Sequence, residues 1–266
     1  MIVKHKTMEL GAGGNKPGTG KRAARALATA AGAVCVCAAA LWLNPAPGAG
    51  RDPCPPQMAY LPPGSYSLGT APDKARYLLK ICKDAVGNCS ERWFEPETHY
   101  YAKAKLSATC IDRYEYPNEP GVRPATGMDL AAADRICRAQ GKVLCSDVEW
   151  EAACAGGSRR AWPYGGAYQK DACNDAGREI EPSGARAACF SPAGGGVYDM
   201  AGNAAEWTRS TLEQPYPENS ASSAPRVVKG GSYREHPLFT RCAFRETYDP
   251  KVKYDTFGFR CCGYPR

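Results

Sequence analysis

Histidine is scarce in this chain: 266 residues hold three, His5, His99 and His236. Two of them lie beyond the first fifty residues, too few for a histidine-rich zinc or iron centre. A run of like charge is also missing from the main body. Residues 51–266 carry 28 Lys/Arg against 26 Asp/Glu, so no basic face is concentrated there and no nucleic-acid partner is expected. The net charge of +7 comes mostly from residues 1–50, which hold six Lys/Arg and one acid, Glu9. No internal repeat of solenoid period occurs.

Cysteine, glycine and proline are plentiful instead. Of 14 cysteines, Cys35 and Cys37 lie in an apolar run and 12 lie downstream. An even count at that density, with few histidines beside it, points to an exported, disulfide-bonded domain. Gly and Pro together make 50 residues, more than average yet short of low complexity. Aromatics at 10% argue for a packed core. A folded, loop-rich domain is expected rather than a helical bundle.

The first 56 residues read as targeting. Residues 1–25 are basic and are expected on the cytoplasmic side. Ala26–Leu43 has 18 residues without a charge, and Asn44, Pro45 and Pro47 end it. This predicts a signal peptide or a signal-anchor helix that places the membrane among the partners. Ala46 and Gly48 offer a weak cleavage site. Residues 44–56 are a Pro/Gly-rich linker, and residues 57–266 form the domain. Its compartment is expected to be the far side of a bacterial inner membrane, or the exterior after secretion.

Within the domain, Met58–Gly69 predicts a strand, a turn and a strand. Residues 70–105 read as polar and irregular, with Cys82 and Cys89 in a loop. Cys110–Tyr116 is strand-like. Thr126-x-x-Asp129 caps a helix running to about Gln140, with Gly141 as its stop. Ser146-x-x-Glu149 is a capping box for a helix to about Ala155. Residues 156–197 read as loop, and strands are expected at Arg226–Lys229, Arg241–Glu246 and Phe257–Cys262. Short strands and two helices under long loops imply an α+β fold.

Eight blocks follow in order: MAYLPPGSYSLG, CIDRYEYPN, GKVLCSDVEWEAAC, WPYGG, VYDMAGNAAEWT, RVVKGGSYR, RCAFR and FGFRCC. From Met58 to Cys262 the chain resembles the formylglycine-generating enzyme (sulfatase-modifying factor) family. The resemblance implies a loop-rich, disulfide-stapled variant of the C-type lectin fold. It also implies a calcium ion of structural role around GNxxEW, held by Asp199 and Glu206 with the carbonyls of Gly202 and Ala204. A second family site would begin at Asn174, where a Cys173–Cys189 disulfide is expected in place of the ion. By the same resemblance Cys137 pairs with Cys261, and Cys154 with Cys242. Cys261 and Cys262 point to opposite faces of a strand and need different partners, with Cys145 a candidate for Cys262. Cys54 with Cys110 and Cys82 with Cys89 complete six bridges, although sequence alone does not fix such pairings.

Family enzymes oxidise a substrate cysteine with copper and oxygen, using a C-x4-C pair that begins two residues after GGSY. Thiolates are the natural Cu(I) ligands. Here Ser232 and Tyr233 remain, Glu235 stands at the first cysteine position and Thr240 at the second. Ala205 stands where the family has Trp. Copper is therefore not expected. A two-histidine iron site would have to draw on His99, His236 and a carboxylate such as Glu235; surface histidines are the simpler expectation. The chain reads as a non-catalytic member that binds a peptide, protein or glycan; Trp162, Tyr164 and Tyr216 are candidates for its binding surface, although such residues more often pack loops, as is expected of Trp162 in WPYGG. The alternative is an oxidoreductase of the same family with its site elsewhere.

Overall fold

The computed structural model describes residues 53–99, 103–214 and 223–265. The basic N-terminus, the 26–43 segment, most of the linker, Cys35, Cys37 and Tyr216 lie outside the described residues.

Among the described residues, twelve short strands and four α-helices carry the fold. The strands are β1 (Met58–Leu61), β2 (Gly64–Ser67), β3 (Lys103–Leu106), β4 (Thr109–Asp112), β5 (Val143–Leu144), β6 (Phe190–Ser191), β7 (Val197–Tyr198), β8 (Ala205–Trp207), β9 (Arg226–Lys229), β10 (Glu246–Tyr248), β11 (Phe257–Phe259) and β12 (Cys261–Gly263). The helices are α1 (Pro72–Val86), α2 (Pro96–His99), α3 (Leu130–Ala139) and α4 (Asp147–Ala155). One sheet has the order β1-β4-β12-β5 and a second β10-β9-β8-β11. Pairing is antiparallel except between β11 and β8. β2 with β3 and β6 with β7 form two small ribbons. The fold is α+β and loop-rich, as expected.

The sequence Phe257–Cys262 forms two strands rather than one. β11 belongs to the second sheet and β12 to the first, with Arg260 at the break. Arg260 is wholly buried, and its guanidinium donates to backbone and side-chain acceptors on both sides of that break. Those side-chain bonds hold the chain out of one continuous ladder.

Residues 72–99, expected to be irregular, are largely helical. Ala75, Leu78, Leu79 and Cys82 recur at helical spacing and are buried on one face of α1, with Pro72 opening the helix. Gly87 stops it with a positive φ of 91°, its N–H donating to the Cys82 and Lys83 carbonyls. Cys82 is thus helical and reaches Cys89 just past the stop. In α3 the cap is Asp129 itself, whose Oδ1 accepts from Ala132 N at 2.8 Å, rather than Thr126. Such a cap contributes about 1 kcal/mol. The Ser146–Glu149 capping box forms as read, and every residue of α4 is buried.

Arg241–Glu246 is a turn followed by β10, not a strand. The Cys242 and Phe244 carbonyls accept from Lys229 Nζ, at 2.6 and 2.7 Å, instead of from a neighbouring strand. The strand at Cys110–Tyr116 is shorter than its residues suggest and ends at Asp112.

Six disulfides staple the fold: Cys54–Cys110, Cys82–Cys89, Cys137–Cys261, Cys145–Cys262, Cys154–Cys242 and Cys173–Cys189. The pairs coincide with those expected. Adjacent Cys261 and Cys262 diverge to α3 and to the segment before α4, as opposite strand faces require.

Candidate functional site

Asn203, in the GNxxEW block, has a left-handed φ of 56° that asparagine tolerates. Its Oδ1 accepts from Asn174 Nδ2 and from Glu181 N, both at 2.9 Å. Its Nδ2 donates to Glu115 Oε2 at 2.8 Å and to the Glu181 carbonyl at 3.2 Å. The side chain thus ties four segments of chain together with its full hydrogen-bonding capacity. Gly202 has φ 75°, and a Cβ there would lie 2.1 Å from the Asn174 carbonyl oxygen. Only glycine fits that approach.

The carboxylates expected around calcium have protein partners. Glu206 is fully buried. Its Oε1 accepts from Arg260 Nη2 at 2.6 Å, and its Oε2 accepts from Arg260 Nε and Trp150 Nε1, each at 2.7 Å. Asp199 Oδ2 accepts from Gly184 N at 2.7 Å. Burial, opposed by that bond, pushes the Asp199 carboxyl up to about 6. Ala204 N donates to Glu115 Oε1 at 3.0 Å. Glu206 therefore does not fit a calcium ligand, because a guanidinium already neutralises it. Asn174 differs: its Nδ2 is donated to Asn203 and Glu179, while its Oδ1 is buried with no donor among the described residues. That oxygen, unlike those of Glu206, has an unused lone pair for a cation.

The GGSY turn positions Glu235 and Thr240, the two residues expected at the family's thiol positions. Gly230 and Gly231 both have positive φ, 83° and 61°. A Cβ on Gly231 would lie 3.1 Å from Thr240 Cγ2 and 3.3 Å from Glu235 Cγ. The two positions therefore flank one turn, as a metal-binding pair would. Thr240 is buried, and its hydroxyl donates to the Pro237 carbonyl at 3.1 Å. Glu235 is half-buried; burial raises its carboxyl, and the Ser232 hydroxyl partly offsets this. Ser232 and Tyr233 are buried, and Tyr233 N donates to the Asn203 carbonyl. These two fix the turn rather than face a ligand. His236 Nδ1 accepts from Leu238 N at 3.3 Å, and burial lowers its basicity.

Two acidic side chains, Glu235 and Glu246, stand near one another beside this turn. Glu246 on β10 accepts from the Tyr248 hydroxyl at 2.9 Å, and Glu235 and Glu246 repel one another. Tyr254, exposed, stands edge-on to Tyr248. An apolar cluster not anticipated from the sequence joins Leu78, Leu79 and Phe94 of the 72–99 segment to Leu238 and Phe239. Arg241 makes a fork to Glu97, at 2.6 and 2.7 Å. The helical spacing in α1 was the available signal. The segment that leads into Thr240 is thus packed against α1 and tied to α2 through the Arg241–Glu97 fork.

No three His, Cys, Asp or Glu side chains converge as metal ligands among the described residues. Every cysteine among them is in a disulfide. Trp162 does not line a surface: it is buried on the Cys173–Cys189 disulfide, while Tyr164 is half-buried and stacked on it.

A family model described as "Sulfatase-modifying factor enzyme 1-like domain" matches residues 47–263. The chain belongs to that family. It is 32% identical to the formylglycine-generating enzyme of Mus musculus over 148 residues, 47% of this chain and 40% of that one. It is 31% identical to the serine/threonine-protein kinase pkn1 of Chlamydia caviae over 183 residues, 63% of this chain and 29% of that one. The match thus spans less than half of either relative. Among solved structures, Treponema denticola variable protein 1 superposes with a TM-score of 0.56 at 17% identity, covering 78% of this chain and 95% of that chain. That likeness speaks for the fold.

Proposed function

We propose that the chain is an exported, non-catalytic member of the sulfatase-modifying factor family, anchored in a membrane or secreted, that binds a peptide, protein or glycan at the former thiol turn. The observation that carries this reading is the pair Glu235 and Thr240 on either side of Gly231. A carboxylate and a buried hydroxyl are hard donors that do not bind Cu(I) as a thiolate pair does. Six disulfides suit an oxidising compartment and leave no thiol among the described residues to serve instead. The group formed by Glu235, Glu246, Tyr248 and Tyr254 favours a partner that presents a positive group beside an apolar one.

The test is to load the chain with Cu(I) and incubate it in air with a cysteine-containing peptide. The peptide mass should not change, and copper should be lost to a Cu(I) chelator. The double variant Glu235→Cys, Thr240→Cys should regain tight Cu(I) binding, because both positions face one turn. Conversion of the peptide by the unmodified chain would refute the non-catalytic reading.

A further inference from the structure

We infer that Arg260 is the resident cation of the GNxxEW turn and that it closes Glu206 to a divalent ion. Three buried carboxylates, Glu115, Asp199 and Glu206, stand around this turn. Glu115 accepts from Ala204 N, Ser183 Oγ and Asn203 Nδ2, and Asp199 accepts from Gly184 N. These donors are neutral. Among the described residues, the one formal positive charge in hydrogen-bond contact with the group is the Arg260 guanidinium, forked on Glu206. Burial works against that charge, but Glu206, then Glu115 and Asp199, outweigh it and hold Arg260 protonated.

Geometry adds to charge. The same guanidinium donates to the Asp112 carbonyl at 3.2 Å and the Tyr198 carbonyl at 3.1 Å. It therefore binds β8, β4 and β7 from the break between β11 and β12. A planar fork with five donors can do this, whereas a spherical ion would have to be ligated by the same oxygens. The Trp150 indole N–H holds Glu206 Oε2 from the other side. A calcium ion on Glu206 would have to sit against a fixed cation in a low-dielectric site, which like-charge repulsion opposes. At Glu206 an internal guanidinium thus occupies both carboxylate oxygens that a divalent ion would need.

The most direct readout is the Trp150 indole N–H resonance in a two-dimensional NMR spectrum of the full chain. That proton points at Glu206 Oε2, so an ion taken up by Glu206 moves it. Calcium added to about 10 mM, above the range of weak extracellular sites, should leave it in place. A saturable shift would overturn the inference. Thermal melts of variants give an independent arm. Arg260→Gln leaves the three carboxylates without their cation, so its melting point should rise on the order of 5 °C when calcium replaces a chelator. Arg260→Lys keeps the charge and should respond to calcium no more than the unmodified chain. If Arg260→Gln gains nothing from calcium relative to the unmodified chain, the inference fails. If that variant does not fold in either buffer, the Trp150 resonance decides.

Discussion

Lys229 shows how a single buried charge can be read in solution. Its Nζ donates to the Cys242 and Phe244 carbonyls and lies 3.4 Å from Glu151 Oε2, above the Trp150 ring. Burial, reinforced by the Arg245 charge and opposed by Glu151 and Asp147, lowers its pKa to about 7 from a usual 10.5. Between those values the unfolded chain holds a proton that the folded chain has released. The unfolded state then binds more protons, so this group's contribution to stability rises with pH across that window and is flat below it. In urea titrations from about pH 6.5 to 9.5, the unmodified chain should gain stability relative to Lys229→Met as pH rises. A constant or narrowing gap would contradict the burial argument. The sequence displayed Asn203, Glu206 and Arg260 as letters of a motif. It did not show that Arg260 turns back onto Glu206, because that contact spans 54 residues and depends on where one strand ends and the next begins.

Element boundaries were legible where local chemistry decides them. The Ser146–Glu149 box and the Gly141 stop depend on neighbours within four residues, and both take the form that the residues imply. The α1 helix was obscured by its charges: Lys74, Arg76, Lys80 and Lys83 make the segment look polar, while Ala75, Leu78, Leu79 and Cys82 carry the helical period. The turn at 241–245 could not be read locally, because a lysine from β9 claims its carbonyls. Disulfides tie such elements with unequal strength. Cys82–Cys89 closes a separation of 7 residues and Cys137–Cys261 one of 124. In the chain-entropy picture, replacing the first pair by serine should cost about 2 kcal/mol and the second about 5 kcal/mol. Melts of the two double variants check this order; equal losses would point to native-state strain or packing instead.

Taken whole, the molecule keeps the family scaffold, and the proposal made above rests on Glu235 and Thr240 standing where a thiol pair is expected after its GGSY turn. Eight ordered blocks made that ancestry readable, and several of them fix a buried hub or a tight turn, among them Asn203, Gly202 and Gly231. The use of the turn was legible in the sequence only through Glu235 and Thr240. The packing of α1 against Leu238 and Phe239 needed the three-dimensional fold.

The claim that no thiol chemistry survives is tested most directly by counting free thiols. The oxidised full chain is alkylated without reduction and mapped by mass spectrometry. None of the twelve cysteines beyond residue 50 should carry label. Two labelled cysteines close together in the fold would contradict the claim and mark a dithiol able to hold copper.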